Sequence, residues 1–454
     1  MSQPLQDINA LAKAASQDTA AATGSYQPAS AGCAVGFGAA LDPELLSACI
    51  HCGLCLPACP TYLATGRESE SPRGRIYLLS MLQKGEAQPE PRLVEHIDTC
   101  LGCLGCQTAC PSGVQYGKIL DQARPMLAAK RSPSLRQLMR FAFSKILPNY
   151  PRLRKLSGLL RLWQKTGANT LHHRFPFVGK LIGNLGEWQD LLPAVPNFVP
   201  LPNQSWISGE KQGEVQLFGG CVMDVFYNDV NHACVRLLTY QRQIVKVPDQ
   251  TCCGALAFHA GEMDIARDLA KRNLDYFEHN AGEIVVTAAG CGAMLKEYGH
   301  LLHDDPEWAQ RAEAFSKRVR DITEFLADHE FAMPAKPVEK NVAYHAACHL
   351  AHAQKIREAP VTLLKQVEGL KLIPLEEAEH CCGSAGIYNL MHTELSMKVL
   401  DRKMDHLKDT GAELVVTTNP GCLLQLQKGL ADQKMSMQAC HIVTLLDEAF
   451  QQDS

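Results

Sequence analysis

Two runs of four cysteines constrain this chain more than anything else in it. Cys49, Cys52, Cys55 and Cys59 are spaced C-x2-C-x2-C-x3-C with Pro60 following; Cys100, Cys103, Cys106 and Cys110 repeat that spacing with Pro111 following. Three thiolates so close together fit one face of a [4Fe–4S] cube. The fourth, ahead of a proline, reaches across to the other cluster where two clusters share a fold. The spacing therefore assigns Cys49, Cys52, Cys55 and Cys110 to one cluster, and Cys100, Cys103, Cys106 and Cys59 to a second. Zinc is the alternative for four thiolates, but it usually takes two separated C-x2-C pairs, without the third cysteine or the terminal proline. Gly53, Gly102 and Gly105 between the ligands should let backbone amides turn toward cluster sulfurs. His51 reads as filler, and Tyr62 and Tyr77 as packing residues.

Forty residues separate Cys59 from Cys100. The segments PRGRIYLLSMLQKG and PRLVEHID within that insert have the apolar spacing and proline starts of helices. A helical ferredoxin-type module, like that of succinate dehydrogenase-like subunits, is expected rather than a small β ferredoxin.

The chain has 454 residues and 19 cysteines, enough for several domains. Its N-terminus lacks a basic stretch followed by an apolar one, so a secretory signal and disulfides are not expected. No run of about 18 apolar residues suggests a transmembrane span. A net charge of -4 argues against general nucleic-acid binding. From Gln122 to Leu185, however, there is no acidic residue and there are 13 Lys or Arg, interleaved with FAFSKIL, LRKLSGLLRLW and PFVGKLIG. Such a stretch is either a set of connecting helices or a docking face for an acidic partner or an anionic membrane surface.

The C-terminal half contains a repeat. EVQLFGGC, TCCGALAFHAG and EIVVTAAGC return as NVAYHAAC, HCCGSAGIYNL and AELVVTTNPGC. The first copy supplies Cys221, Cys252, Cys253 and Cys291; the second supplies Cys348, Cys381, Cys382 and Cys422. Residues 283–287 and 413–417 read as buried strands, and 396–407, with Met397, Leu400, Met404 and Leu407 on one face, as an amphipathic helix. Alternating strand and helix imply parallel sheets, whose carboxyl ends are where ligands bind. Each cysteine group falls there, so each copy is expected to hold a further Fe–S cluster, in preference to buried structural thiols or a strained Cys252–Cys253 or Cys381–Cys382 disulfide. Pro248 and Pro374 occupy matching places on the strand before each Cys-Cys-Gly. Cys33, Cys234 and Cys440 read as structural or incidental, and His259, His345, His349 and His352 as packing or hydrogen-bonding groups. Gly290-Cys291-Gly292 resembles the start of a dinucleotide fingerprint but lacks its third glycine, because Leu295 stands there.

The fold class expected is α+β and multidomain: residues 1–40 disordered, 41–125 a helical ferredoxin-type domain, 126–210 a basic helical connection, and 211–333 and 334–454 two α/β Cys-Cys-Gly domains with parallel sheets.

CIHCGLCLPACPTYLATGRESESPRGRIYLL and CLGCLGCQTACPSGVQYGKILDQAR resemble the iron–sulfur subunit of bacterial glycolate dehydrogenase, also called glycolate oxidase. The Cys-Cys-Gly copies are similar to those of that subunit and of heterodisulfide reductase-type proteins, and the resemblance covers residues 41–450. It implies an oxidoreductase complex with flavin-binding dehydrogenase subunits, one of which oxidises glycolate to glyoxylate. This chain would carry electrons toward a membrane quinone or another acceptor, with no catalytic residue of its own. It would be cytoplasmic and peripheral on the inner face of the cytoplasmic membrane. Related possibilities are the iron–sulfur subunits of lactate or glycerol-3-phosphate dehydrogenases, or a disulfide reductase working at the repeats. The fullest Cys-Cys-Gly pattern ends in C-x2-C, and here Ala288 and Asn419 replace the first cysteine of that pair. A five-cysteine noncubane cluster is therefore not expected.

Overall fold

The computed structural model describes residues 40–166, 194–205, 210–329 and 336–450. Expectations for residues 1–39 and for PFVGKLIG lie outside these. The ferredoxin-type region is helical, with helices Pro43–Ser47, Pro60–Thr65, Pro72–Gln83, Pro91–Asp98, Gly105–Thr108 and Tyr116–Lys130. Four of the six begin with proline, whose fixed φ and missing N–H suit the first helical position. The Asp42 and Ser71 side chains cap two of them by accepting from the amides of Glu44 and Gly74. Both helices expected between the cysteine runs are present. Ile76, Leu79, Leu82 and Ile97 from them pack on Tyr116, Ile119, Leu120 and Leu127 to form one core.

Each cysteine-rich repeat is a four-stranded parallel sheet. β1 (Gly213–Phe218), β2 (Gln243–Lys246), β3 (Glu283–Val286) and β4 (Val319–Asp321) lie in the order β2-β1-β3-β4. β5 (Asn341–Tyr344), β6 (Lys371–Ile373), β7 (Leu414–Thr417) and β8 (Gln438–His441) repeat it as β6-β5-β7-β8. Pro248 and Pro374 fall just past β2 and β6 rather than within them, because proline cannot donate to the ladder. The expected amphipathic helix spans Thr393–Thr410, longer at both ends than its apolar pattern, and stops at Gly411 with φ 60°.

The repeats share a core. Helix Asn228–Tyr240 lies against helix Ile442–Phe450, with Cys234, Leu237 and Leu238 facing Ile442, Leu445 and Leu446. The contact is pinned by an Arg236–Asp447 pair at 2.6 Å and by Tyr240 stacked on Phe450 at 5.2 Å.

The remaining modules divide between the repeats. The ferredoxin region rests on the second: Leu101, Cys103 and Ala64 pack with Cys348, Cys381, Tyr388 and Val399, and the Tyr388 hydroxyl donates to the Thr99 carbonyl at 3.0 Å. Helices Pro133–Phe141 and Tyr150–Lys165 rest on the first, where Met139 and Phe143 join Phe218, Cys221 and Cys252. Many cations of the acid-free segment are neutralised here. Arg136 and Arg140 clamp the buried Glu262, Arg154 forks Asp224 at 2.8 Å, and Arg131 meets Asp98 at 2.9 Å.

Candidate metal centres

The two ferredoxin loops share a backbone that their side chains do not advertise. His51 and Gly53 in the first have φ of 55° and 86°; Gly102 and Leu104, at the same places in the second, have 63° and 62°. A left-handed residue reverses the direction of its amide, and two per loop turn the chain around a point. His51 and Leu104 adopt this conformation at a cost of about 1 kcal/mol each, so His51 is more than filler. Gly105 is not left-handed; it is small because an added Cβ would lie 3.1 Å from the Ala58 carbonyl.

Cys59, Cys100, Cys103 and Cys106 line one cavity together with Arg75 and Tyr116. The Tyr116 hydroxyl and the Gly102 amide donate toward the Cys100 Sγ at 3.5 and 3.4 Å. Cys59 is held from behind: its Sγ lies 3.3 Å from the Thr61 hydroxyl, which donates to the Glu70 carbonyl. The Glu70 carboxylate accepts from Arg75 at 2.7 Å and from Thr99 at 2.5 Å, and pairs with His96 at 2.5 Å. The distinctive ESPRGR sequence is thus a buried brace for the crossing cysteine. Burial pushes the Cys103 and Cys106 thiols well above the usual range. Such thiols give up their protons to solvent when a metal cation binds the thiolate, not by simple titration. Cys49, Cys55 and Cys110 are half-buried, and Cys52 is exposed.

In the first repeat, the Sγ atoms of Cys221 and Cys252 are 3.6 Å apart and those of Cys253 and Cys291 are 3.3 Å apart. Cys252, hydrogen-bonded by Cys221 and Cys253, is pulled below the usual thiol range, while Cys221 and Cys253 are pushed up. In the second repeat, Cys348 meets Cys381, Cys381 meets Cys382, and Cys382 meets Cys422 in the same order. The glycine of each Cys-Cys-Gly is left-handed, with φ 87° at Gly254 and 93° at Gly383; a Cβ at Gly383 would sit 2.5 Å from the Ser396 carbonyl. No other residue permits that turn. Among the described residues the cysteines are free thiols.

Asn419, where the fuller motif has cysteine, joins the two sites. Its Oδ1 accepts from the Gly290 amide at 3.0 Å, and its Nδ2 donates toward the Cys422 Sγ at 3.6 Å.

Two buried polar groups stand beside the second site: Lys403, which the sequence does not single out, and His345, expected to pack or hydrogen-bond. Lys403, buried on helix Thr393–Thr410, donates to the Glu377 carbonyl; burial pushes its ammonium down to about 8 although Cys382, Cys381 and Cys422 favour its charge. His345 is fully buried, and its donor nitrogen lies within 4.8 Å of the Cys382 and Cys422 sulfurs. Neither of its ring nitrogens has a hydrogen-bond partner. Burial, and then the nearby Lys403 ammonium, push the His345 imidazole well below its usual range; the Ala378 carbonyl, engaged by the Ala346 amide, acts the other way without meeting hydrogen-bond geometry. His352 hydrogen-bonds with the Glu379 carbonyl and the Thr108 hydroxyl; His349 packs ring to ring with His259 at 5.3 Å, and its Nδ1 lies 3.5 Å from the Cys348 Sγ. The sequence does contain a hint of His345: Phe218 stands at its place in the first copy.

Two ferredoxin-type cysteine sets joined to two parallel-sheet cysteine repeats define an iron–sulfur protein. Residues 45–114 match the 4Fe-4S dicluster domain family, and 215–296 and 342–427 match the cysteine-rich domain family. Residues 134–192 match the linker region of the glycolate oxidase iron-sulfur subunit. The chain is 39% identical over 420 residues to the probable glycolate oxidase iron-sulfur subunit of Bacillus subtilis (strain 168), covering 90% of this chain and 94% of that one. It is 31% identical to the glycolate oxidase iron-sulfur subunit of Escherichia coli (strain K12), covering 84% and 90%. The lactate utilization protein A of Geobacillus kaustophilus (strain HTA426) is 32% identical and aligns with 52% of this chain and 98% of its own length. The chain belongs to the family of glycolate oxidase iron–sulfur subunits. In fold it is similar to the crystal structure of a hypothetical protein from Helicobacter pylori, with a TM-score of 0.54 at 10% identity, covering 86% of this chain and 70% of that one. The dicluster match and the close thiol pairs of the repeats support iron–sulfur clusters as the cofactors.

Proposed function

We propose that this chain is the electron-transfer subunit of a glycolate-oxidising dehydrogenase. It takes electrons from a partner flavin subunit that converts glycolate to glyoxylate and passes them toward a quinone or another membrane acceptor. Cys49, Cys52, Cys55 and Cys110 hold the outer cluster; Cys100, Cys103, Cys106 and Cys59 hold the inner one. The four cysteines of each repeat hold a further centre. When bound, these centres carry single electrons.

One observation carries the reading: the inner ferredoxin set adjoins the second repeat, and the second repeat adjoins the first, through shared apolar clusters. Cys103 of the inner set packs in one apolar cluster with Cys348 and Cys381, and Cys382 and Cys422 share another with Ala289, two residues from Cys291. The chain's own contribution is spacing, burial and hydrogen bonds to sulfur, the levers that set cluster potential. Ile50, Leu54 and Tyr77, exposed around Cys52, offer an apolar rim at the outer set where a flavoprotein would dock.

No helix among the described residues is long and apolar enough to cross a membrane. Attachment to the cytoplasmic membrane face would be peripheral, through helix Tyr150–Lys165. Leu156, Leu159 and Trp163 of that helix lie exposed at i, i+3 and i+7 beside Arg152 and Lys155.

The test is glycolate-dependent dye reduction. The partner flavoproteins together with this chain should pass electrons to a quinone analogue, and this chain alone should show no turnover. Turnover by the isolated chain, or activity restored only with a lactate- or glycerol-3-phosphate-oxidising flavoprotein, would overturn the assignment.

A further inference from the structure

The strand ends of the two repeats differ at one buried position. EVQLFGGC and NVAYHAAC place Phe218 and His345 at the same distance before Cys221 and Cys348. Phe218 fills its place with a ring that meets Phe277 at 5.9 Å. The fold therefore needs only an apolar side chain there. In the second repeat a fully buried imidazole occupies the place, with both nitrogens lacking a partner. An unmet buried polar group costs about 1–3 kcal/mol. Such a group is kept where something absent from the bare chain takes it up.

We infer that His345 is a metal ligand, completing with Cys382 and Cys422 a mixed imidazole–thiolate donor set that the first repeat does not have. This rests on reading the repeats as metal sites. The three donor atoms lie within 4.8 Å of one another. A single tetrahedral ion with metal–sulfur bonds of about 2.3 Å and metal–nitrogen bonds of about 2.0–2.1 Å would draw such donors together without moving the backbone far. A four-iron cube distributes its ligands one to each iron and does not require three of them on one atom. The centre that fits is thus a thiolate-bound metal with one atom taking three protein donors, either zinc or an open iron–sulfur cluster. A neutral imidazole as the third donor adds no negative charge, as a third thiolate would, and the ammonium of Lys403 acts in the same direction.

The test uses the full chain purified anaerobically with its partners, labelled with 15N-histidine. Iron, zinc and acid-labile sulfide are counted per chain. Nitrogen ligation is read by X-ray absorption at the edge of the metal found, and by pulsed EPR where the centre is paramagnetic. The wild type should show one nitrogen-ligated centre. His345→Phe, which installs the residue the first repeat already carries, should lose the nitrogen signature and the metal of one centre, leaving the ferredoxin iron unchanged. His345→Cys should keep the metal and lose the nitrogen. Zinc as the metal lost and a partial iron complement as the metal lost both support the assignment and distinguish its two forms. A His345→Phe or His345→Cys protein with unchanged metal and unchanged nitrogen signature overturns it. A wild type holding iron for the ferredoxin sites and no other metal overturns the reading of the repeats as well.

Discussion

The two cysteine-rich repeats share a strand order and a sequence of paired thiols, yet they surround those thiols with opposite chemistry. In the first, Asn273 on helix Met263–Phe277 is neutral and fully engaged. It accepts from the Thr251 amide at 3.0 Å and donates to the Cys252 carbonyl at 3.1 Å and to the Tyr298 hydroxyl at 3.0 Å. In the second, the corresponding helix carries the ammonium of Lys403, and His345 takes the place of Phe218. One seat is closed by hydrogen bonds within the protein. The other keeps a buried imidazole without a hydrogen-bond partner and a buried ammonium that donates to the Glu377 carbonyl. The same strand order thus holds two positions that a few buried residues make unequal.

The largest expected effect breaks the closed seat. Asn273→Ala leaves the buried Thr251 amide and Cys252 carbonyl unmet, and should lower stability by about 4 kcal/mol. Chemical denaturation of the metal-free chain measures this. A loss no larger than that of a surface substitution would mean that these hydrogen bonds do not hold the first repeat.

Acid should separate the repeats next. Asp321 and His441 end β4 and β8 and each begins a helix. Burial pushes the Asp321 carboxyl up from 3.8 to about 6, and pushes the His441 imidazole down from 6.5 to about 4. Between about pH 6 and pH 4 the folded chain binds a proton at Asp321 that the unfolded chain does not, so acidification stabilises that end. Between about pH 6.5 and pH 4 the unfolded chain binds a proton at His441 that the folded chain refuses, so acidification destabilises the other. Each contribution is about 3 kcal/mol at full extent. Asp321→Asn should therefore make the acid loss of stability steeper, and His441→Gln should make it shallower. Equal profiles for the two variants would refute the contrast.

A smaller effect tests how firmly the repeats are joined. Arg236→Ala leaves Asp447, 4% exposed, without its guanidinium, at about 2 kcal/mol given the half-exposed arginine. Because the two repeats share one core, both should unfold at the same lowered temperature in a calorimetric scan. A shift confined to one transition would show separable repeats. The smallest effect concerns what leans on the first repeat alone. Leu159→Ser with Trp163→Ser should change stability by less than about 0.5 kcal/mol. The pair should still abolish cosedimentation with anionic lipid vesicles; undiminished binding would remove this helix as the membrane face.

What could be read from the sequence was what recurs at fixed spacing. The ferredoxin cysteines, the duplicated Cys-Cys-Gly and the strands within residues 283–287 and 413–417 are local patterns, and the structure places strands at Glu283–Val286 and Leu414–Thr417. The left-handed Leu104 was hidden because leucine rarely adopts that conformation, and His51 because histidine adopts it only in a minority of cases. The brace behind Cys59 was hidden because Glu70 and Thr99 meet across 29 residues of chain. His345 reads in the sequence as a packing or hydrogen-bonding group; its nearness to Cys382 and Cys422 arises only where separate loops and strands meet. The basic middle segment gave only its charge; the partners Glu262 and Asp224 emerge once the first repeat has folded against it.

The gradient of exposure across the ferredoxin cysteines gives the molecule an order of ageing. Cys52 stands in solvent, whereas Cys59 and Cys106 are buried under the modules packed above them. Dioxygen and alkylating reagents meet the outermost ligand first. Damage in air should begin at the exposed outer set and reach the buried inner set last, so that a preparation loses its outer centre before its inner ones.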